Sequence, residues 1–121
     1  MAAKYVLEEK TYAFSLNIVN IYKHLTTEKH EYVLSKQVLR SGTAIGALLR
    51  EAKYAQSRAD MLNKYAIALK EANETLYWLE LLHDSQYLEE SRFTTNHKDC
   101  NEITAILVST VNKLKLPPPT N

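Results

Sequence analysis

The sequence predicts an all-α protein, an up-down antiparallel four-helix bundle, and three observations carry that reading. Only two glycines and three prolines occur in 121 residues, and the prolines stand together at Pro117, Pro118 and Pro119. A chain so poor in breakers lacks the turn residues that a sheet protein needs every few positions. Apolar residues recur at three- and four-residue steps through four stretches of similar length, as amphipathic helices require. Short polar links join these stretches, which makes consecutive helices antiparallel neighbours.

The first stretch, Glu9 to Leu25, sets Tyr12, Leu16 and Val19 beside Phe14, Ile18, Ile21 and Leu25 on one broad face. Thr26-Thr27-Glu28-Lys29-His30 interrupts it. Its threonines are candidate caps for the next helix, and Glu28 and Glu31 suit the positive end of that helix's dipole. The second stretch, Glu31 to Gln56, repeats Leu34, Val38, Gly42, Ile45, Leu49 and Ala52. Ser57-Arg58-Ala59-Asp60 then reads as a capping box, serine at the cap and a carboxylate three residues on. The third, Ala59 to His83, carries Tyr65, Leu69, Ala72, Leu76 and Leu79 in register. After Asp84-Ser85-Gln86-Tyr87-Leu88, a fourth runs from Glu89 to Leu114 with the stripe Phe93, Cys100, Ile103, Leu107 and Leu114.

A chain of this length supports one core, and 45% hydrophobic with 24% charged residues is ordinary globular composition. Residues 1–116 are assigned to the bundle domain and 117–121 to a proline-rich tail that cannot continue a helix. The single cysteine, Cys100, excludes an internal disulfide and suits a reducing compartment. Met1 to Lys10 is short, polar and charged, unlike a secretory leader, and no window has the length of a membrane span. A cytoplasmic protein without a membrane partner is expected.

The formal net charge is +1, so no overall basic field advertises nucleic acid. Its distribution is uneven. Residues 31–58 hold five Lys and Arg against two Asp and Glu, whereas residues 59–90 hold two against seven.

Two features exceed what a lone bundle needs. Gly42 and Gly46 both fall inside the second helix, where each costs about 1 kcal/mol relative to alanine. With Ala44 and Ala47 beside them, they leave a thin surface that another backbone can approach, either within one subunit or between subunits. A phosphate-cradling loop is not the reading, because Ser41 to Gly46 follows no strand. The third helix is also apolar on more than one face. Ile67, Trp78 and Leu81 point away from its core stripe amid Lys70, Glu71 and Glu74, which fits a surface buried against a partner. Gly42, Gly46, Ile67, Trp78 and Leu81 are therefore the candidate oligomer interface.

The chemistry of a catalytic site is hard to assemble from this chain. A di-iron bundle needs Glu-x-x-His on two helices and a further glutamate on each of the others. Glu80-Leu81-Leu82-His83 is one such tetrad and has no second, so His83 reads as a polar cap on the core stripe. His97 and Cys100 share a helix face, but two ligands do not hold zinc. His24 and His30 flank a loop and read as solvated. Cys100 lies on a core stripe and reads as a small hydrophobe. No catalytic residue, metal ligand set or cofactor is expected, and an enzyme is not.

Lys36, Arg40, Arg50, Tyr54 and Arg58 project from one face at about 100° per residue, with small Thr43 and Ala47 between them. Such a stripe can track phosphates while Tyr54 stacks on a base. The alternative is a solvated face, or one paired with the acidic third helix of its own or a neighbouring subunit.

Gln37-Val-Leu-Arg-Ser-Gly-Thr-Ala-Ile-Gly-Ala-Leu-Leu-Arg-Glu-Ala52 resembles the signature of the four-helix bundle proteins encoded in intervening sequences of bacterial 23S ribosomal RNA genes. Ala55-Gln-Ser-Arg-Ala-Asp60 and Ala68-Leu-Lys-Glu-Ala-Asn-Glu-Thr-Leu-Tyr-Trp-Leu-Glu-Leu-Leu82 are similar to the same family, so the resemblance runs to about Lys115. It implies a bundle that assembles into a barrel-like homopentamer and brings no catalytic residues. A related branch, the accessory protein of diversity-generating retroelements, is basic and binds nucleic acid and a reverse transcriptase. This chain departs from the pattern at Ala44 and Leu48, where the family usually has serine and asparagine, and in its near-neutral charge. The expectation is a non-enzymatic, ring-forming bundle that contacts RNA or an RNA-linked protein. Its rivals are a passenger protein without nucleic-acid contact and a metal-dependent bundle enzyme.

Overall fold

The computed structural model describes residues 2–118, with side chains from Val6 onward. Pro119 to Asn121, most of the expected tail, lie outside the described residues. Four helices occur in order: α1 Ala2–Thr27, α2 Leu34–Ala52, α3 Arg58–Asp84 and α4 Glu90–Lys115. Each packs on its neighbours in the chain, and a sparser seam closes α4 against α1. The expected up-down four-helix bundle is the fold observed.

The core runs along the bundle axis. Phe14, Ile18, Ile21 and Leu25 of α1 meet Val38 and Ile45 of α2, Leu79 and Leu82 of α3, and Ile103 and Leu107 of α4, all fully buried. On α2 the buried set contains the expected stripe from Val38 to Ala52, joined by Ser35 and Ser41, with Leu34 only partly buried. On α1 the buried stripe is Leu7, Thr11, Phe14, Ile18, Ile21 and Leu25, in steps of four and three. Tyr12 and Leu16, expected on that face, are 57% and 51% exposed. The segment has more apolar residues than one stripe accommodates, and these two fall a full 100° or more off it. On α3 the buried line is Tyr65, Ala68, Ala72, Thr75, Leu79 and Leu82, so the small residues face inward while Leu69 and Leu76 pack on its flank. On α4, Asn96 and Val111 complete the buried line and Phe93 and Leu114 flank it.

Helix ends follow local chemistry. The Glu31 carboxylate accepts hydrogen bonds from the amides of Val33 (3.2 Å), Leu34 (2.9 Å) and Ser35 (2.7 Å). Glu31 therefore sits outside α2 as its cap, and the helix begins later than periodicity alone implies. Thr26 and Thr27 do not cap α2; their hydroxyls donate back to the carbonyls of Tyr22 and Lys23 inside α1. The serine half of the predicted capping box is present, with Ser57 Oγ accepting from the Asp60 amide at 3.0 Å. The Asp60 carboxylate reaches back one residue further, accepting from the Gln56 amide at 3.2 Å. The far end of α4 is closed from α3: Arg58 Nη2 donates to the carbonyls of Lys113 and Leu116, both at 3.3 Å. Two buried hydroxyls meet across α2 and α3, Thr75 Oγ1 lying 2.9 Å from Ser41 Oγ and 2.8 Å from the Glu71 carbonyl.

Candidate assembly and nucleic-acid surfaces

The two glycines serve different purposes. Gly42 is buried, and a Cβ placed there would lie 2.8 and 2.9 Å from Ile18 Cγ1 and Cγ2. Its missing side chain is filled by α1 of the same chain, which is the within-subunit packing. Gly46 is partly exposed, and a Cβ there would meet only ordinary contacts, the nearest at 3.4 Å from the Thr11 carbonyl. It floors an open groove of about 390 Å³ between α1 and α2, with Tyr12, Ala47, Arg50, Glu8 and Glu51 around it. The thin surface foreseen on α2 is thus half core contact and half groove.

Ile67, Trp78 and Leu81 are half-buried, none of them fully exposed. Trp78 differs from the outward placement expected of it. Its ring packs against the core and edge-on to Tyr77, and its Nε1 donates to Glu74 Oε2 at 3.3 Å. Exposed large apolar side chains lie elsewhere, among them Tyr12 and Leu16 on α1 and Tyr77 on α3.

The basic stripe separates into unequal parts. Arg40 Nη2 lies 2.7 Å from Glu74 Oε2, with Glu71 at 4.0 Å, so the acidic third helix engages it within the subunit. Arg58 is the first residue of α3 and holds the end of α4. Tyr54 lies past the end of α2 in the turn to α3, 80% exposed. Arg50 stands over the Tyr12 ring, 5.9 Å from its centroid. Lys36 is exposed on α2. Lys36, Arg50 and Tyr54 thus remain turned to solvent, while Arg40 and Arg58 are engaged by their own chain.

The Glu80–His83 tetrad does not converge. Glu80 Oε2 reaches His97 Nε2 at 2.9 Å, while His83 Nε2 lies 3.0 Å from Glu90 and its Nδ1 lies 3.1 Å from Asp84. Phe93 lies between the two imidazoles, stacked on His83 at 4.1 Å and tilted against His97 at 4.9 Å. Hydrogen bonds to Glu90 and Asp84 raise the His83 pKa. His83 is therefore a bridge between helices, a role that spacing along one helix does not reveal. His24 is half-buried at the end of α1, and burial, with Arg92 nearby, lowers its pKa. Burial pushes the Cys100 thiol up to about 12, which makes it a poor nucleophile at neutral pH. Among the described residues no three His, Cys, Asp or Glu side chains gather closely enough to hold a metal ion, and no helix is long and apolar enough to cross a membrane.

Known proteins place this geometry. The crystal structure of a protein of unknown function from the S23 ribosomal protein family of Bacteroides thetaiotaomicron is 50% identical, and the match covers 91% of this chain and 98% of that one with a TM-score of 0.89. No curated protein matches the chain. The model of the 23S rRNA-intervening sequence proteins matches residues 4–109, nearly the whole bundle. The chain belongs to the 23S rRNA-intervening sequence protein family.

Proposed function

We propose that this chain is a non-enzymatic subunit of a closed homo-oligomer, a pentamer by its resemblance, that presents a multiplied polar surface to RNA or an RNA-linked protein. The observation that carries the assembly reading is the exposed apolar surface of α1. Tyr12 and Leu16 stand in solvent although the core beneath them is already filled by Phe14 and Ile18. Removing such side chains from water gains about 25 cal/mol per Å², and a second copy is the partner always present at matching concentration. A head-to-tail contact that closes on itself gives a ring without leaving an open end. Light scattering on the purified chain is expected to return about five subunit masses. A monomer at micromolar concentration rejects the reading.

RNA contact rests on Lys36, Arg50 and Tyr54, the members of the basic face that stay turned to solvent. One copy offers few contacts, but a ring repeats them, so weak attraction multiplies into useful affinity. Such binding is dominated by phosphate and weakens steeply with salt. Filter binding of structured RNA across a salt series tests it, and absence of binding at low salt by the intact oligomer leaves assembly alone as the function.

A further inference from the structure

The end of α4 and the groove between α1 and α2 are chemically matched. Leu116, the residue that closes α4, has φ −73° and ψ 149°, which is polyproline II geometry. Three prolines follow it in the sequence, and the rings of Pro117 and Pro118 hold φ near that same value. Arg58 grips the carbonyls of Lys113 and Leu116, so the chain leaves the helix in a set direction. Leu116 is 63% exposed. The result is an apolar, extended strip that offers carbonyl acceptors and, through its prolines, no N–H donors.

The groove supplies what such a strip lacks. Tyr12 gives an aromatic wall, and Arg50 over it carries a guanidinium rich in donors. Gly46 and Ala47 keep the floor low. The two carboxylates at its rim are already engaged, Glu8 by Lys53 at 2.9 Å and Glu51 by Lys64 at 3.2 Å. The hydroxyls of Ser15 and Thr43 donate inward to the carbonyls of Thr11 and Leu39. Aromatic-lined grooves with outward donors are the surfaces that recognise polyproline II segments. Groove and strip also share one end of the bundle, where α1 begins and α2 and α4 finish.

We propose that Leu116 to Pro119 of one copy docks as a polyproline II strip in the Tyr12–Gly46–Arg50 groove of a second copy. The contact is between copies because α4 packs on α1 and α3 and, among the described residues, not on α2. At about 3.1 Å per residue, three prolines span only ~9 Å, too short to round the bundle to its own groove, given helix axes 8–10 Å apart on each side. The inference names a partner surface for the assembly reading and rests on it.

Site-directed cross-linking separates the two. Copies carrying Thr120→Cys are co-expressed with copies carrying Ala47→Cys and treated with a short bismaleimide. Native Cys100 is buried with its thiol raised, and so stays out of the reaction. A mixed two-chain product is expected. Its yield is expected to fall about tenfold when the Thr120→Cys copy also carries Pro117→Ser, Pro118→Ser and Pro119→Ser. A comparable fall is expected when the Ala47→Cys copy carries Tyr12→Ala, a substitution at an exposed site that circular dichroism will show to leave helix content unchanged. An oligomer by light scattering with no mixed product overturns the docking and leaves the assembly standing. A mixed product indifferent to the proline changes overturns recognition of the strip. A separate chain carrying both Thr120→Cys and Ala47→Cys that cross-links within itself instead of to a second copy overturns the contact between copies. A monomer with no product overturns both readings.

Discussion

The Arg40 guanidinium lies 2.7 Å from the Glu74 carboxylate, and the same oxygen accepts the indole N–H of Trp78 at 3.3 Å. One glutamate on α3 thereby engages both the central arginine of the basic face and the tryptophan beside it. Arg40 is 60% exposed, so the pair itself contributes at most about 1 kcal/mol to stability. On the RNA-contact reading, a phosphate must compete with Glu74 for the guanidinium.

RNA binding is therefore expected to depend on Lys36, and on Arg50 wherever its groove is not filled by a neighbouring copy, and to be insensitive to Arg40 and Arg58. Lys36→Gln or Arg50→Gln should each reduce the log–log salt slope by about 1 for every subunit in contact. Arg40→Gln and Arg58→Gln should leave it unchanged. Filter binding decides, and a slope that drops with Arg40→Gln shows that Glu74 yields the guanidinium.

Opposite signs are expected at the two glycines. Gly42→Ala forces a methyl onto the branched Ile18, and overpacking of about 1–3 kcal/mol exceeds the ~1 kcal/mol gained in helix propensity. Gly46→Ala meets only ordinary contacts and should stabilise by up to about 1 kcal/mol. Urea denaturation of both variants measures this. Equal destabilisation would mean that Gly46 is also closed by something in the assembled protein.

The buried hydroxyl pair predicts a coupling. Thr75→Val strands Ser41 Oγ in the core and should cost about 1–3 kcal/mol. Ser41→Ala should cost less, since Thr75 keeps the Glu71 carbonyl. A double-mutant cycle by chemical denaturation should find the double variant less destabilised than the sum of its parts. Simple additivity would mean that the 2.9 Å contact contributes nothing.

His83 makes stability depend on pH. Its pKa is raised by Glu90 and Asp84, so its contribution is full below the unfolded value of about 6.5 and disappears as pH rises through the folded value. Glu90, lowered by His83 and Thr94, contributes above its unfolded value and loses that contribution as pH falls through the folded one. The bridge is thus strongest between about pH 5 and 6.5. The urea midpoint should decline from pH 6 to 8, and His83→Gln should flatten that decline. An unchanged decline in the variant assigns it to another group.

Helix number, order and the bounds of α3 and α4 were legible because apolar periodicity and the Ser57–Asp60 box are local signals. By contrast, α1 begins at Ala2 instead of Glu9, and α2 spans Leu34–Ala52 instead of Glu31–Gln56. The stripe on α2 was legible for the same reason, since its buried and polar positions separate cleanly. On α1 and α3 the apolar residues outnumber the core positions. Which of them turned inward was decided by the partner helices, so Tyr12 and Leu16 were misplaced and Ala68 and Thr75 were missed. The uneven charge did point from Arg40 to the acidic third helix, one of the alternatives for the basic face, and the Arg40–Glu74 pair realises it. Other pairings between helices left no local trace: nothing near Arg58 points to Leu116, and nothing near His83 to Glu90. The basic face looked continuous on a helical wheel and is divided in space by those partners.

The sparse seam between α1 and α4 shapes how the bundle forms and opens. Each adjacent pair of helices is a hairpin joined by a short link, cheap in chain entropy to close. Bringing α4 onto α1 instead closes a loop of nearly the whole chain, with few contacts in return and Lys10–Glu102 as one ion pair across it. The three hairpins are therefore expected to form before the fourth edge, and that edge to part first. Opening like a book along one spine would make amides of α1 facing α4 exchange before those buried between α2 and α3, an order that native-state hydrogen exchange reads directly.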